Sequence, residues 1–480
     1  MRLGDWTDMV SRLVMGREAI SQRGGRMLAL CGGVFALVLA LVVAAPEARS
    51  NAAVEGAHLG VASCAGSTCH GRMAGDGPVV RQDEIARWQE PSTQGGAHSR
   101  AFAVLSNSRS QFIARNLGIG DASSAAMCLG CHSSAANAGG GTFRYQTTDG
   151  VNCESCHGSS QGWISSHYAG LLDGRTQHAD NVRRGLRPLE DASVRAGVCL
   201  DCHYGSAEQG QFVTHRIMAA GHPRIAFELD LFSTLQAHHN EDADYVERKG
   251  QPDHVQMWAV GQAMALQRSL SLFQNSNRAT EGVFPEFTFY DCHSCHRRIY
   301  DQAEPVRTGV DNPGRQIPEG MPPYQDENMI MLSAAARVAA PALAERFDAR
   351  VRVFHVGMAR DRASAVAAAR ELQATTGELV AAFEGSSFGP GSAQRMAQAI
   401  AGEAIRSRFT DYEGSVQAVM GVDTLLSAMV SSGQATVGSA ATVRADINRA
   451  YAAVRDPNAY RPREFQSALA SAVRGIGALR

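Results

Sequence analysis

The 480-residue sequence predicts a mainly α protein of two textures: short helices joined by loops up to about residue 303, then an antiparallel helical bundle from 328 onward. Three observations predict it. Ten of the 11 cysteines fall pairwise into five compact motifs, each closed by a histidine. The stretch 51–303 around them is rich in Gly, Ser and Asn and has few long periodic segments, the composition of short helices and loops. Residues 328–480 contain no cysteine and are Ala-rich, with apolar residues at helical spacing.

The motifs come first because they explain the loop-rich half. Cys128-Leu-Gly-Cys131-His132, Cys153-Glu-Ser-Cys156-His157, Cys199-Leu-Asp-Cys202-His203 and Cys292-His293-Ser-Cys295-His296 are CxxCH sequences, the attachment signature of c-type haem. Cys64-Ala-Gly-Ser-Thr-Cys69-His70 is a stretched CxxxxCH. Two thiols three positions apart on a helical turn reach the two vinyl groups along one porphyrin edge. The histidine that follows then sits under the iron as proximal ligand. Zinc ligation or dithiol redox chemistry would not require a histidine after every second cysteine. The sequence thus predicts five covalent haems c, held by Cys64, Cys69, Cys128, Cys131, Cys153, Cys156, Cys199, Cys202, Cys292 and Cys295. The proximal ligands are His70, His132, His157, His203 and His296. Flat apolar porphyrins supply core that such a polypeptide lacks, so 51–303 reads as a pentahaem domain packed around its cofactors.

Before it, residues 1–50 carry five arginines up to Arg26, an apolar run from Met27 to Ala45, and small residues after Pro46. That is the layout of a secretory signal, and the run is near the length of a spanning helix, so a cleaved signal and an N-terminal membrane anchor both stay open. Cys31, inside this run, is read as a bystander. Export fits the motifs, since haem c is attached outside the bacterial inner membrane; the expected location is the periplasm, with or without attachment to that membrane. With 45 Lys+Arg against 47 Asp+Glu, no basic footprint points to nucleic acid.

After the haem region, 304–327 is a Pro/Gly-rich connector. Helices are then predicted over 328–354, 363–383, 392–409, 414–431, 441–454 and 462–476. One stripe runs through Val366, Leu372, Leu379, Val380 and Phe383, another through Val419, Val422, Leu426 and Met429; both read as core rather than cofactor contacts.

Eleven of the 16 histidines are not proximal, enough for a second axial ligand on every iron. The segment Gly60–His203 resembles the cytochrome c-554-like multihaem cytochromes. The resemblance rests on four features: the first motif followed by Trp88 and His98-Ser-Arg-Ala-Phe102, the isolated Cys128 motif, Gly150-Val-Asn-Cys153 with His167 downstream, and the Cys199 motif. It implies distal ligation by His98 and His167, periplasmic electron transfer, and an open iron at the second haem. The chain departs in its CxxxxCH, a longer Trp88–His98 interval, a fifth motif and the helical C-terminal half. His215-Arg-Ile-Met-Ala-Ala-Gly-His222-Pro resembles a stretch of larger multihaem relatives; two turns apart on one helix face, His215 and His222 are also assigned as distal ligands. His178, His238, His239 and His254 remain as candidates for the fifth iron. His293 is expected to face solvent and His355 to be structural.

These residues point to an electron-transfer protein that relays electrons through mostly bis-histidine haems between redox partner proteins. The other reading is a haem enzyme with one open iron acting on a small nitrogen or sulfur compound. The lysine-ligated nitrite reductases are disfavoured, because the single lysine, Lys249, is not next to a cysteine.

Overall fold

A computed structural model describes residues 56–77, 81–134, 141–173, 177–280, 282–296, 317–318, 321–406 and 412–479. The arginine-rich start, the apolar run with Cys31, and most of the 304–327 connector lie outside these residues. Among the described residues the protein is helical without a β-strand, and no helix is long and apolar enough to cross a membrane.

The first half consists of short pieces. They are α1 (Glu84–Trp88), α2 (Ser108–Leu117), α3 (Ala126–His132), α4 (Cys153–His157), α5 (Ile164–Asp173), α6 (His178–Arg183), α7 (Ala192–His203), α8 (His215–Ala219), α9 (Leu229–Leu235) and α10 (Ala243–Lys249). The exception is α11 (His254–Gln274), followed by the single turns α12 (Ser276–Ala279) and α13 (Cys292–Cys295). Beyond the connector come α14 (Glu327–Ala339), α15 (Pro341–Arg360), α16 (Arg362–Glu384), α17 (Ser392–Arg406), α18 (Tyr412–Ser431), α19 (Val437–Ala453) and α20 (Pro462–Ala478).

The C-terminal helices follow the periodicity closely. One expected helix, 328–354, is two: Ala340 leaves helical geometry and Pro341 opens α15 at its first position, where proline's missing N–H costs nothing. The two apolar stripes lie in one continuous core, with Val366 half-buried at its edge, which agrees with their reading as packing residues.

Helix α11 falls in the region expected to hold only short helices. Asp253 caps its start by accepting from the Gln256 amide. Apolar residues then bury it on several sides: Val255, Trp258, Val260, Leu266, Leu270 and Phe273 all belong to the core. A helix covered all round shows little 3.6-residue contrast, which is why its pattern is faint in the sequence. It packs on α7, which carries the fourth motif, and on α9 in the first half, and on α14, α16 and α18 beyond them. Residues 54–480 accordingly form one compact unit. Phe273, fully buried, sits at the junction, with ring centroids 5.2 Å from Phe284, 5.7 Å from Phe289, 5.8 Å from Tyr324 and 5.4 Å from Phe354.

Candidate haem sites and their histidine pairs

Four of the five motifs lie on helical turns, as their spacing requires. The first helical residue of α4 is Cys153, and Asn152 before it caps the turn by accepting from the Glu154 amide. Asp291 caps α13 by accepting from Ser294. The longer CxxxxCH instead folds as a loop closed by His70 N–H to Cys64 O at 3.1 Å and Gly71 N–H to Gly66 O at 3.1 Å, which absorbs the two extra residues. Glu154, between the cysteines of the third motif, is almost fully buried. Its carboxylate accepts from the amides of Leu59 (3.0 Å), Gly60 (2.8 Å) and Ser160 (2.7 Å), tying that motif to the approach to the first. Trp88 donates from Nε1 to Val151 O at 3.1 Å and packs with Val61, Ile85, Cys64 and Cys153, so α1 is held between the same two motifs.

Every proximal histidine faces a second imidazole from a distant part of the chain. His70 lies 6.2 Å, centroid to centroid, from His167. His98 is 6.2 Å from His203, His132 is 6.4 Å from His222, and His215 is 6.1 Å from His296. His157 faces two neighbours, His238 and His239, each at 6.3 Å. Imidazole–metal bonds are about 2 Å, so two rings gripping one ion from opposite sides have centroids about 6 Å apart once the ring radii are added. The six distances match that span.

Burial holds several of these imidazoles in the form that binds a metal, neutral with one nitrogen bare. Burial, aided by the neighbouring His239 and His238, lowers His157 to about 3. Burial lowers His203 to about 4, with His98 adding to it, and His238 to about 4. His98, His167 and His222 are also shifted down by burial. In several rings Nδ1 is engaged by oxygen, leaving Nε2 for the partner: His132 by Ala101 O (2.6 Å), His222 by Pro223 O (2.7 Å) and His70 by Glu84 Oε2 (3.0 Å). His70 alone among the shifted rings of these pairs is raised, by its hydrogen bond to Glu84.

A cavity of about 2280 Å³ runs past the first four motifs and is lined by Cys64, both cysteines of the next three, their histidines, and His98, His167, His222, His238 and His239. The motifs also approach one another. Cys64 touches Cys153, Cys131 touches Cys202, and Cys156 lies within electrostatic reach of Cys199 and Cys202. The fifth motif lies outside this cavity. Arg224 reaches it, donating from Nη1 to Cys292 Sγ at 3.1 Å while pairing with Glu413. The paired imidazoles, the thiols beside them and the mainly apolar cavity fit haem c, whose iron would sit between the rings.

Some sequence assignments are revised here. His215 and His222 do not share a helix face: α8 stops at Ala219, and Gly221 adopts φ +119° ahead of Pro223, so the two rings turn to different motifs. His293 does not face solvent; it is 5% exposed, with Nδ1 2.6 Å from Pro457 O and its ring edge-on to Tyr460. The connection between α19 and α20, from the far end of the chain, covers that turn, which local sequence does not reveal. His178 lies beside Glu190 and His254 beside Asp230, each within hydrogen-bond distance and away from any motif histidine. His355 is buried against Asp326, a structural position. Glu84 and Arg224 carried no signal in the sequence.

Short cysteine-bearing turns, paired imidazoles and a mainly apolar cavity are the arrangement that covalently bound c-type haem would require. The family described as Cytochrome c554 and c-prime matches residues 63–158, from the first motif through the third and including His98; this segment is cytochrome c554-like. No curated protein and no solved structure matches the chain.

Proposed function

We propose that the protein is an exported, periplasmic pentahaem cytochrome that relays electrons between a donor and an acceptor protein, with every iron held between two histidines. The observation that carries this reading is the set of five imidazole pairs at 6.1–6.4 Å. The pairs are His70–His167, His132–His222, His203–His98, His296–His215, and His157 with His238 or His239. Haem supplies a reversible one-electron iron couple; the protein's part is to hold, space and insulate it. Bis-histidine ligation leaves no position for substrate and favours low potentials. The second site, where the family resemblance implies an open iron, has His222 opposite His132.

The contacts between motifs support an order. Cys64 against Cys153 makes the first and third neighbours; Cys156 near Cys199 and Cys202 joins the third to the fourth; Cys131 against Cys202 joins the fourth to the second. The stretch from His215 to Arg224 then spans the second and fifth, since His222 faces His132 while His215 and Arg224 face the fifth motif. The relay order is first, third, fourth, second, fifth. Intact mass of the exported protein should show five haem additions, and ferric electron paramagnetic resonance should integrate to five low-spin centres. Fewer haems, or rapid turnover of nitrite or hydroxylamine, would overturn the reading.

A further inference from the structure

Glu84 is a buried carboxylate, 6% exposed, at the first position of α1. Its neighbouring charges are spoken for elsewhere: Arg87 pairs with Asp83 at 2.9 Å, and Arg81 pairs with Asp242. What faces Glu84 is two imidazoles. Oε2 lies 3.0 Å from Nδ1 of His70, and Oε1 lies 3.8 Å from Nδ1 of His239. His70 is the proximal residue of the first motif, and His239 is one of the two rings 6.3 Å from His157 of the third. One carboxylate therefore stands beside ligand candidates of two adjacent sites, within hydrogen-bond distance of Nδ1 in His70 and within ion-pair distance of Nδ1 in His239, which leaves Nε2 of each ring for a metal.

A carboxylate behind a metal-bound histidine fixes its tautomer and makes it a stronger donor. A buried negative charge near iron also favours the ferric state, because each ferric centre carries one more positive charge than its ferrous form. The carboxylate itself is buried, so solvent screens it less than it would a surface charge. Both act in the same direction, toward lower potential. His238 is backed by a neutral carbonyl instead, its Nδ1 3.4 Å from Gln236 O.

We propose that Glu84 is a positioning residue shared by two haems: it backs His70 at the first and His239 at the third, selects His239 as the third iron's distal ligand, and holds both potentials down together. The inference rests on the bis-histidine reading above. Glu84 thus sets the two centres at one end of the relay as a unit, by a charge that belongs to neither motif.

The test is a spectroelectrochemical titration of the full-length holoprotein carrying Glu84→Gln, which keeps shape and removes charge. Two of the five midpoint potentials should shift positive while the other three stay at their wild-type values. Asp83→Asn, which removes a buried carboxylate already paired with Arg87, should leave those two in place. A shift of one potential or none in Glu84→Gln, or a uniform shift of all five, overturns the proposal. Should that variant load haem poorly, the wild type decides: the rhombic signal of the first haem and the strongly anisotropic signal of the third must each show a smaller g spread than the other centres of the same plane geometry, and the absence of either narrowing overturns the proposal. Failure of the underlying reading looks different, as missing haems or high-spin iron in the wild type.

Discussion

Replacing His222 by alanine removes one ring from one pair and leaves the others intact. His222 is the imidazole facing His132, at 6.4 Å, and its Nδ1 is already engaged by Pro223 O. The site is half-buried, so water replaces the imidazole as a weak ligand and the iron becomes high-spin. With five pairs, the low-spin ferric signal should fall by one-fifth. The structure also says which fifth. Near-parallel imidazole planes give a rhombic spectrum, whereas near-perpendicular planes leave two iron d orbitals almost degenerate and give a strongly anisotropic one. The planes meet at 12° for His70–His167 and 35° for His215–His296, but at 72° for His98–His203, 85° for His132–His222 and 88° for His157–His239. The wild type should therefore show two rhombic and three strongly anisotropic centres, and the variant should lose one of the three. Added imidazole should restore it. His222→Met should restore low spin at a raised potential, because thioether stabilises ferrous iron relative to imidazole. Loss from the rhombic set, or unchanged spectra, would refute the assignment of His222.

Three further outcomes are expected. Cys69→Ser should leave the protein with one haem attached through Cys64 alone or with four haems, seen by intact mass before and after acid–acetone extraction; five haems all resistant through two bonds would refute CxxxxCH attachment. Phe273→Ala should cost about 3–5 kcal/mol in urea unfolding followed by helix circular dichroism, since the aromatic rings around it come from separate segments and cannot close over the space; a loss under about 1 kcal/mol would contradict that packing. Burial pushes Glu327 up to about 8 against the pull of Arg224, and burial with Asp230 nearby pushes Glu228 up to about 8. Both folded values lie above the unfolded carboxyl value of about 4.3, so the folded state binds more protons and stability falls as pH rises from about 4.3 through about 8. Urea midpoints measured across that range should decline, and Glu327→Gln should flatten part of the decline.

What could be read from the sequence was whatever depends on neighbours along the chain. Haem attachment needs two thiols and an imidazole close together along the chain, so the five motifs can be read directly in the sequence. Helices α14 to α20 likewise fall close to the stretches predicted from apolar spacing. The second ring of each pair is different. His167 meets His70, and His98 meets His203, only after the intervening chain has folded; no spacing encodes those meetings, and the family resemblance marked these two as ligands without saying whose. The doubled His238-His239 was visible, but its convergence on His157 was not. Helix α11 was obscured for a related reason, since burial on several faces erases the periodic contrast by which a helix is recognised. Glu84 is the extreme case. A glutamate opening a five-residue helix looks like any solvated acid, and only the tertiary structure, by burying it between imidazoles of two motifs, turns its charge toward the iron sites.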